Sequence, residues 1–292
     1  MAESPLPKAD PGHASPGHAS PDLPDLIELS TLVRRTALDA HAAARTGITR
    51  ITKQDGSWVT DIDRRIQDKL LTGLRHRWPQ YGFIGEEMTH ADQVAICDRS
   101  RAGFWVLDPL DGTTNFTTDF PCYGISLALV VDGRPRLGVV FDPVREECFS
   151  AQAGRGAHLN RQPLACSATR TLGECIAIID YKRLVGDLAG QLVRSPPYRS
   201  QRNLGSSVLE WCWLAAGRVQ LYLHGGQKLW DFAAGYLILT EAGGVATSLS
   251  GKSLDCARLR KRSVVAAANP GLFALWDAWI NANSTVPKAS PL

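Results

Sequence analysis

Two α/β lobes, the first built on an antiparallel sheet and the second smaller, are what this 292-residue sequence predicts. Three observations lead there. Apolar residues recur at helical spacing over 25–78, the period shortens to that of strands between Phe104 and Ala151, and strand and helix patterns alternate after Pro163. A chain of this length can bury roughly three quarters of its unfolded surface, so stability requires neither disulfides nor a structural metal.

Taken in order, residues 1–24 hold six of the seventeen prolines and the tandem repeat Pro11-Gly-His-Ala-Ser15, Pro16-Gly-His-Ala-Ser20. Such a segment cannot bury enough apolar surface to offset the entropy of ordering it, and a disordered tail is expected. His13 and His18 read as linker. Leu26, Leu29, Val33, Ala37, Ala40 and Ala44 then mark a helix with Gly47 as its stop. A second helix is expected from Asp61 to Trp78, with Ile62, Ile66, Leu70 and Leu74 on one stripe. Strands are expected at Phe104–Leu107, Tyr123–Val131, Arg136–Phe141 and Cys148–Gln152. Asp132-Gly133 is a hairpin turn, and Gly154 and Gly156 close the meander. Beyond it, strands are expected at Cys175–Asp180, Val219–Leu223, Gly244–Thr247 and Ser263–Ala268, and helices at Ser207–Ala216, Asp231–Ala242 and Pro270–Asn281. The lobes divide as 25–160 and 161–284, with 285–292 as a short tail.

Composition removes several classes of function. Lys and Arg number 32 against 29 Asp and Glu, a net charge of +3, and the nearest thing to a basic cluster, Arg258, Arg260, Lys261 and Arg262, reads as a solvated turn. A nucleic-acid partner is therefore not expected. No run approaches the roughly 20 apolar residues of a membrane span. Seven scattered cysteines without a CxxC pair, and a start lacking the pattern of a secretory signal, point to a reducing, cytoplasmic setting.

The chemistry-bearing residues are acidic. No GxxxxGK[ST] loop occurs, and Ser126 lacks the second glycine of a nucleophile elbow. The apolar run Phe104–Leu107 ends in Asp108-Pro-Leu-Asp111-Gly-Thr113, where Pro109 biases Asp108 towards extended backbone and Gly112 permits a tight turn. Two carboxylates there can point into one cleft. They repel unless one is protonated or a cation lies between them, and Mg²⁺ with oxygen ligands resolves the conflict. Gly85-Glu86-Glu87, Trp230-Asp231-Phe-Ala-Ala-Gly235 and Thr60-Asp-Ile-Asp63 add further acids. Each has a bland alternative: a solvated pair, a helix cap and a capping box.

Together these stretches, with Lys53-Gln-Asp-Gly-Ser-Trp-Val-Thr-Asp-Ile-Asp63 and Glu241-Ala-Gly-Gly244, resemble the inositol-monophosphatase family of lithium-sensitive, metal-dependent phosphatases over residues 26–282. The resemblance implies a layered αβαβα sandwich, usually a homodimer. It implies that Glu86, Asp108, the carbonyl of Leu110, Asp111 and Asp231 hold two or three Mg²⁺ ions, and that Asp63 and Thr113 activate the attacking water. It further implies a phosphate cradle around Gly112 and Thr113, contacts to the phosphate monoester from Asp111 and Asp231, Glu87 just behind the ligands, and inhibition by Li⁺.

The expected activity is hydrolysis of inositol 1-phosphate by in-line attack of a metal-activated water. Siblings acting on histidinol phosphate, 3′-phosphoadenosine 5′-phosphate or fructose 1,6-bisphosphate are the alternatives, and a non-catalytic RNA- or polymerase-associated protein is the rival of another class. Inositol-selective relatives carry a glutamate where this sequence has His224, which is expected either to meet the substrate or to face solvent at a strand end. Ser206 is a second expected substrate contact.

Overall fold

The computed structural model describes residues 23–44, 50–52 and 58–284. The Pro11–Ser20 repeat, Gly47, Lys53–Ser57 and the 285–292 tail lie outside them. Helix α1 (Leu26–Ala44) is followed by the hairpin β1 (Arg50–Thr52) and β2 (Trp58–Thr60), which leads into α2 (Asp61–Arg77). Leu29, Val33, Ile66, Leu70 and Leu74 are buried in one core, as their spacing demands. Leu23, within the expected tail, packs on that core, and Pro24 is buried.

Seven strands form the larger sheet. In spatial order they are β3 (Gly82–Gly85), β4 (Phe104–Asp111), β5 (Gly124–Val131), β6 (Arg134–Asp142), β7 (Glu147–Gln152), β8 (Ala157–Leu159) and β9 (Gln162–Leu164). Neighbours are antiparallel except β3 and β4, which are parallel and joined by α3 (His90–Arg99). A parallel pair needs such a crossover. The sequence reading missed α3 because only Gln93 of its ten residues is buried, leaving no apolar stripe. Asp132 and Gly133 adopt φ of 51° and 69°, the double positive φ of the tight turn that joins β5 to β6. Gly154 and Gly156 turn the chain but do not end the meander. It continues through β8 and β9, three-residue strands too short to show alternation in sequence.

The second sheet has the order β11 (Ser200–Arg202), β10 (Ile176–Asp180), β12 (Leu221–Gln227), β14 (Arg262–Ala267) and β13 (Val245–Thr247). Helices α6 (Ser207–Ala215) and α7 (Leu229–Glu241) lie between the sheets, where residues from both helices and both sheets share one core. Helices α5 (Leu188–Arg194) and α8 (Pro270–Asn283) cover the outer face of the smaller sheet, with Leu192, Trp276 and Ile280 buried there. Five layers result, α1/α2, sheet, α6/α7, sheet, α5/α8, which is the αβαβα sandwich expected. The central helices are apolar on nearly every side because they have a sheet on each flank.

Candidate active site

Strand alternation alone would send Asp108 and Asp111 to opposite faces of the sheet. A bulge prevents this. Asp108 pairs with Ser126 and Asp111 with Gly124, so three steps along β4 match two along β5. Pro109, unable to donate a ladder bond, sits in the bulge, and the Leu110 N–H turns to the Asp108 Oδ1 at 3.1 Å. Both carboxylates consequently line one cavity of about 560 Å³, within the range of small-molecule sites.

Other elements deliver the remaining acids. Glu86 follows β3, its N–H bonded to the Leu107 carbonyl of β4, which sets it beside Asp108. Asp231 is the third residue of α7, where its Oδ2 accepts the Lys228 N–H at 2.8 Å. Asp231 is thus not the cap expected of it: Lys228 is the N-cap and Asp231, three residues on, closes back onto its N–H, while the other face of the carboxylate still reaches the cavity. Ser206 is fully buried, and its hydroxyl donates to the Asp111 Oδ2 at 2.7 Å, joined there by the Val208 N–H at 2.9 Å. Its proton therefore goes to a carboxylate, and the residue lines the cavity. The Glu87 N–H donates to Gln67.

These acids disturb one another. Burial, then the charges of Glu86, Asp111 and Asp231, push the Asp108 carboxyl well above the usual carboxylate range. Burial also raises Asp111, against the pull of the Val208 and Ser206 hydrogen bonds. Asp231 is raised to about 8 by burial and by Asp111 and Glu86. Lys228 brings a cation against them, its Nζ 3.5 Å from the Glu86 Oε1. Among the described residues no three acids close up into a ready-made cage. The donors are nonetheless all oxygen, and the set is unfavourable as a group of bare anions. That fits a hard divalent cation that keeps part of its shell as water and substrate oxygen.

Asp63 does two things at once. Its Oδ2 accepts from the Thr60 N–H at 2.7 Å and from the Thr60 hydroxyl, closing the box that starts α2. Its Oδ1 lies 3.5 Å from the Thr113 hydroxyl, whose single proton has the Leu110 carbonyl at 3.0 Å as its nearer acceptor. Burial raises the Asp63 carboxyl to about 6. Thr113 opens the short helix α4 (Thr113–Thr117) at the cavity wall. Gly112 before it has φ of 87°, and a β-carbon there would lie 2.9 Å from the Cys122 carbonyl oxygen.

His224 is buried, at 4% exposure, rather than facing solvent, because β12 is flanked by β10 and β14. Its Nε2 lies 3.3 Å from the Asp180 Oδ2, and its Nδ1 accepts the Gly226 N–H at 3.1 Å. Asp180 stands opposite it in the register of β10 and β12, and its carboxyl lies below the ordinary range chiefly because His224 donates to it. The sequence reading missed Asp180, although an acid ending an apolar run was the signal that had found Asp108. It also missed Glu210, a lone acid within the apolar helix α6. Glu210 is buried, raised to about 7 by desolvation, and holds the Leu204 N–H at 2.9 Å. A hollow of about 610 Å³ between α1 and the β7–β8 end contains no such gathering of carboxylates.

Comparison with known proteins gives one answer. The family model described as the inositol monophosphatase family matches residues 26–284. Inositol monophosphatase 1 of Solanum lycopersicum is 35% identical over 221 residues, 73% of this chain and 79% of that protein. Nus factor SuhB of Pasteurella multocida is 35% identical over 206 residues, 68% of this chain and 74% of that protein. The structure of a Thermotoga maritima IMPase superposes with a TM-score of 0.76 at 28% identity, covering 88% of this chain and 96% of that one. The chain belongs to the inositol monophosphatase family.

Proposed function

We propose that the chain is a Mg²⁺-dependent phosphomonoesterase acting on phosphorylated polyols, with inositol 1-phosphate as the representative substrate. The observation that carries this reading is the bulge in β4, which turns Asp108 and Asp111 into the cavity shared with Glu86 and Asp231. Glu86, Asp108, the Leu110 carbonyl, Asp111 and Asp231 would hold two or three Mg²⁺ ions. Bound Mg²⁺ supplies charge neutralisation at the phosphate and the leaving oxygen and lowers the pKa of a coordinated water.

The chain's own residues do the rest. Thr113 accepts a hydrogen bond from the attacking water while its one hydroxyl proton turns from the Leu110 carbonyl to the Asp63 Oδ1, and Asp63 takes up the proton. Backbone N–H groups at the start of α4 cradle the phosphate oxygens, where the helix start favours an anion. Ser206 and Val208 hold the Asp111 Oδ2, leaving its Oδ1 for the cavity. Glu87 lies behind this set. A homodimer in the cytoplasm completes the proposal. In keeping with that setting, all seven cysteines are free, and no helix among the described residues is long and apolar enough to cross a membrane.

Phosphate release tests the reading. With Mg²⁺, inositol 1-phosphate and glycerol 2-phosphate should be hydrolysed, and Li⁺ should inhibit both. Histidinol phosphate, 3′-phosphoadenosine 5′-phosphate and fructose 1,6-bisphosphate in the same panel separate the sibling activities. No release from any compound refutes a hydrolase. The rival RNA- or polymerase-associated role draws support from the name of the Pasteurella relative, and salt-sensitive RNA retention without phosphate release would establish it instead.

A further inference from the structure

Helix α6 packs between the two sheets and is apolar on nearly every side, yet it carries Glu210, buried at 3% exposure. A carboxylate there is costly unless hydrogen bonds satisfy it. They come from three directions. Glu210 Oε1 accepts the Leu204 N–H at 2.9 Å, and the carboxylate also bonds to the Gly205 N–H and the Tyr222 hydroxyl. Behind Tyr222 the chain of bonds runs on into the core. The Trp211 Nε1–H can only donate, and it donates to the Gln227 Oε1 at 3.0 Å, which fixes the orientation of that amide. Gln227 Nε2 therefore donates to the Tyr222 hydroxyl oxygen, leaving the hydroxyl proton for Glu210. Trp211, Tyr222 and Gln227 are fully buried, so the direction of donation is set from the core towards the cavity.

The outer end of this chain grips the 203–206 segment, which lines the cavity at Asn203, Gly205 and Ser206. Glu210 holds the N–H of Leu204, and Asn115 Nδ2 of α4 holds its carbonyl at 2.7 Å, so both backbone groups of that residue are fixed. The same Asn115 nitrogen reaches the Cys122 carbonyl at 2.7 Å, tying the segment to the turn beyond α4. Gly205, at φ of 74°, then turns the chain, and Ser206 delivers its proton to the Asp111 Oδ2. The apolar neighbours of α6 do not ask for a carboxylate at 210. The donors at Leu204, Gly205 and Tyr222 do.

We infer that Glu210 is a positioning residue of the candidate active site: by fixing the 203–206 segment it sets Ser206 against Asp111 and so aims Asp111 at a bound cation. The inference rests on the Mg²⁺-dependent phosphomonoesterase reading and goes beyond it in assigning a role to a residue that works through Asp111. Without the Ser206 bond Asp111 is free to turn about its side-chain torsions, and binding a cation must then order it at a cost in affinity. Substitutions behind metal ligands typically weaken metal binding by about 10–100-fold, and Glu210 acts one bond further back, so about tenfold is expected.

The test reads Mg²⁺ binding to the full-length protein by calorimetric titration. Glu210→Gln keeps the shape but presents an amide nitrogen to the donors, and Mg²⁺ should bind about tenfold more weakly. Ser206→Ala should weaken binding in the same way. Because Glu210 acts through Ser206, the double variant should bind no more weakly than the weaker of the two single variants. In phosphate release Glu210→Gln should need more Mg²⁺ yet regain most of the maximal rate at saturation. A purely structural role would instead lower the melting temperature in EDTA and leave the Mg²⁺ affinity of the folded protein alone. An affinity unchanged in Glu210→Gln, losses that add in the double variant, or a lost maximal rate at an unchanged Mg²⁺ requirement overturns the inference. If Glu210→Gln does not fold, Tyr222→Phe, which removes one donor from the same carboxylate, takes its place in the cycle with the same outcomes. Mg²⁺ binding without phosphate release from any compound overturns the hydrolase reading alone, and the cycle still decides Glu210. A wild type that binds no Mg²⁺ overturns both.

Discussion

Replacing Asp231 by Asn should make the metal-free protein more stable, although it removes a charged group from the candidate site. The carboxyl of Asp231 lies at about 8 instead of 3.8, because burial, Asp111 and Glu86 oppose its ionisation. That is about four units, and at about 1.4 kcal/mol per unit an ionised Asp231 destabilises the fold by at most about 6 kcal/mol. The side chain is only half-buried at the cavity wall, where water screens it, so about 2 kcal/mol is the working figure. Asn keeps an oxygen for the Lys228 N–H, so the start of α7 survives. The sign follows from linkage. A raised acid pKa means that the folded protein binds the extra proton between pH 4 and 8, so wild-type stability falls across that window as pH rises. In EDTA, Asp231→Asn should melt about 4–8 °C above wild type at pH 8 and level with it near pH 4. Saturating Mg²⁺ should reverse the order, since wild type gains about 2.7 kcal/mol at a hundredfold excess over Kd and the variant far less. Turnover should fall by orders of magnitude. A variant that melts below wild type at pH 8 in EDTA, or gains as much from Mg²⁺, would refute the reasoning.

Asp63→Asn should lose about 1 kcal/mol from the capping box and drop kcat by about 10²–10⁴, because Asn cannot accept from Thr60 and take a proton from Thr113 together. In EDTA the raised Asp63 carboxyl, at about 6, makes wild-type stability fall as pH rises from about 4 to 6, a slope that Asp63→Asn should lose; chemical-denaturation curves across that range, beside turnover at saturating Mg²⁺, check both. Gly112→Ala forces a positive φ on alanine and sets a β-carbon 2.9 Å from the Cys122 carbonyl, so a loss of about 1–3 kcal/mol and of phosphate turnover is expected; an unchanged Tm would count against it. His224→Glu sets two carboxylates side by side in place of the 3.3 Å contact with Asp180. Its Tm should be depressed at pH 7.5 and recover towards pH 5 as one acid protonates, and the sharper choice of inositol 1-phosphate that a glutamate there suggests from sequence should not appear.

What the sequence by itself determined is everything carried by local period and turn chemistry. The α1 and α2 stripes, the Asp132-Gly133 turn, the capping pair Thr60 and Asp63, and the central helices all follow from residues within one or two turns or strands of one another. The acidic motifs were legible for the same reason, because proline, glycine and paired carboxylates crowd into short stretches such as Asp108–Thr113. Helix α3 and strands β8 and β9 were illegible: the first buries almost nothing of its own, and the others are three residues long. Only the tertiary structure decided that a bulge turns Asp111 to the side of Asp108, that one oxygen of Asp63 caps a helix while the other faces Thr113, and that Ser206 bonds to Asp111. It likewise paired His224 with Asp180, across 44 residues. Such meetings depend on strand register, where a one-residue slip sends every side chain to the opposite face, and register is set by the packing of both sheets on α6 and α7 rather than by any local pattern.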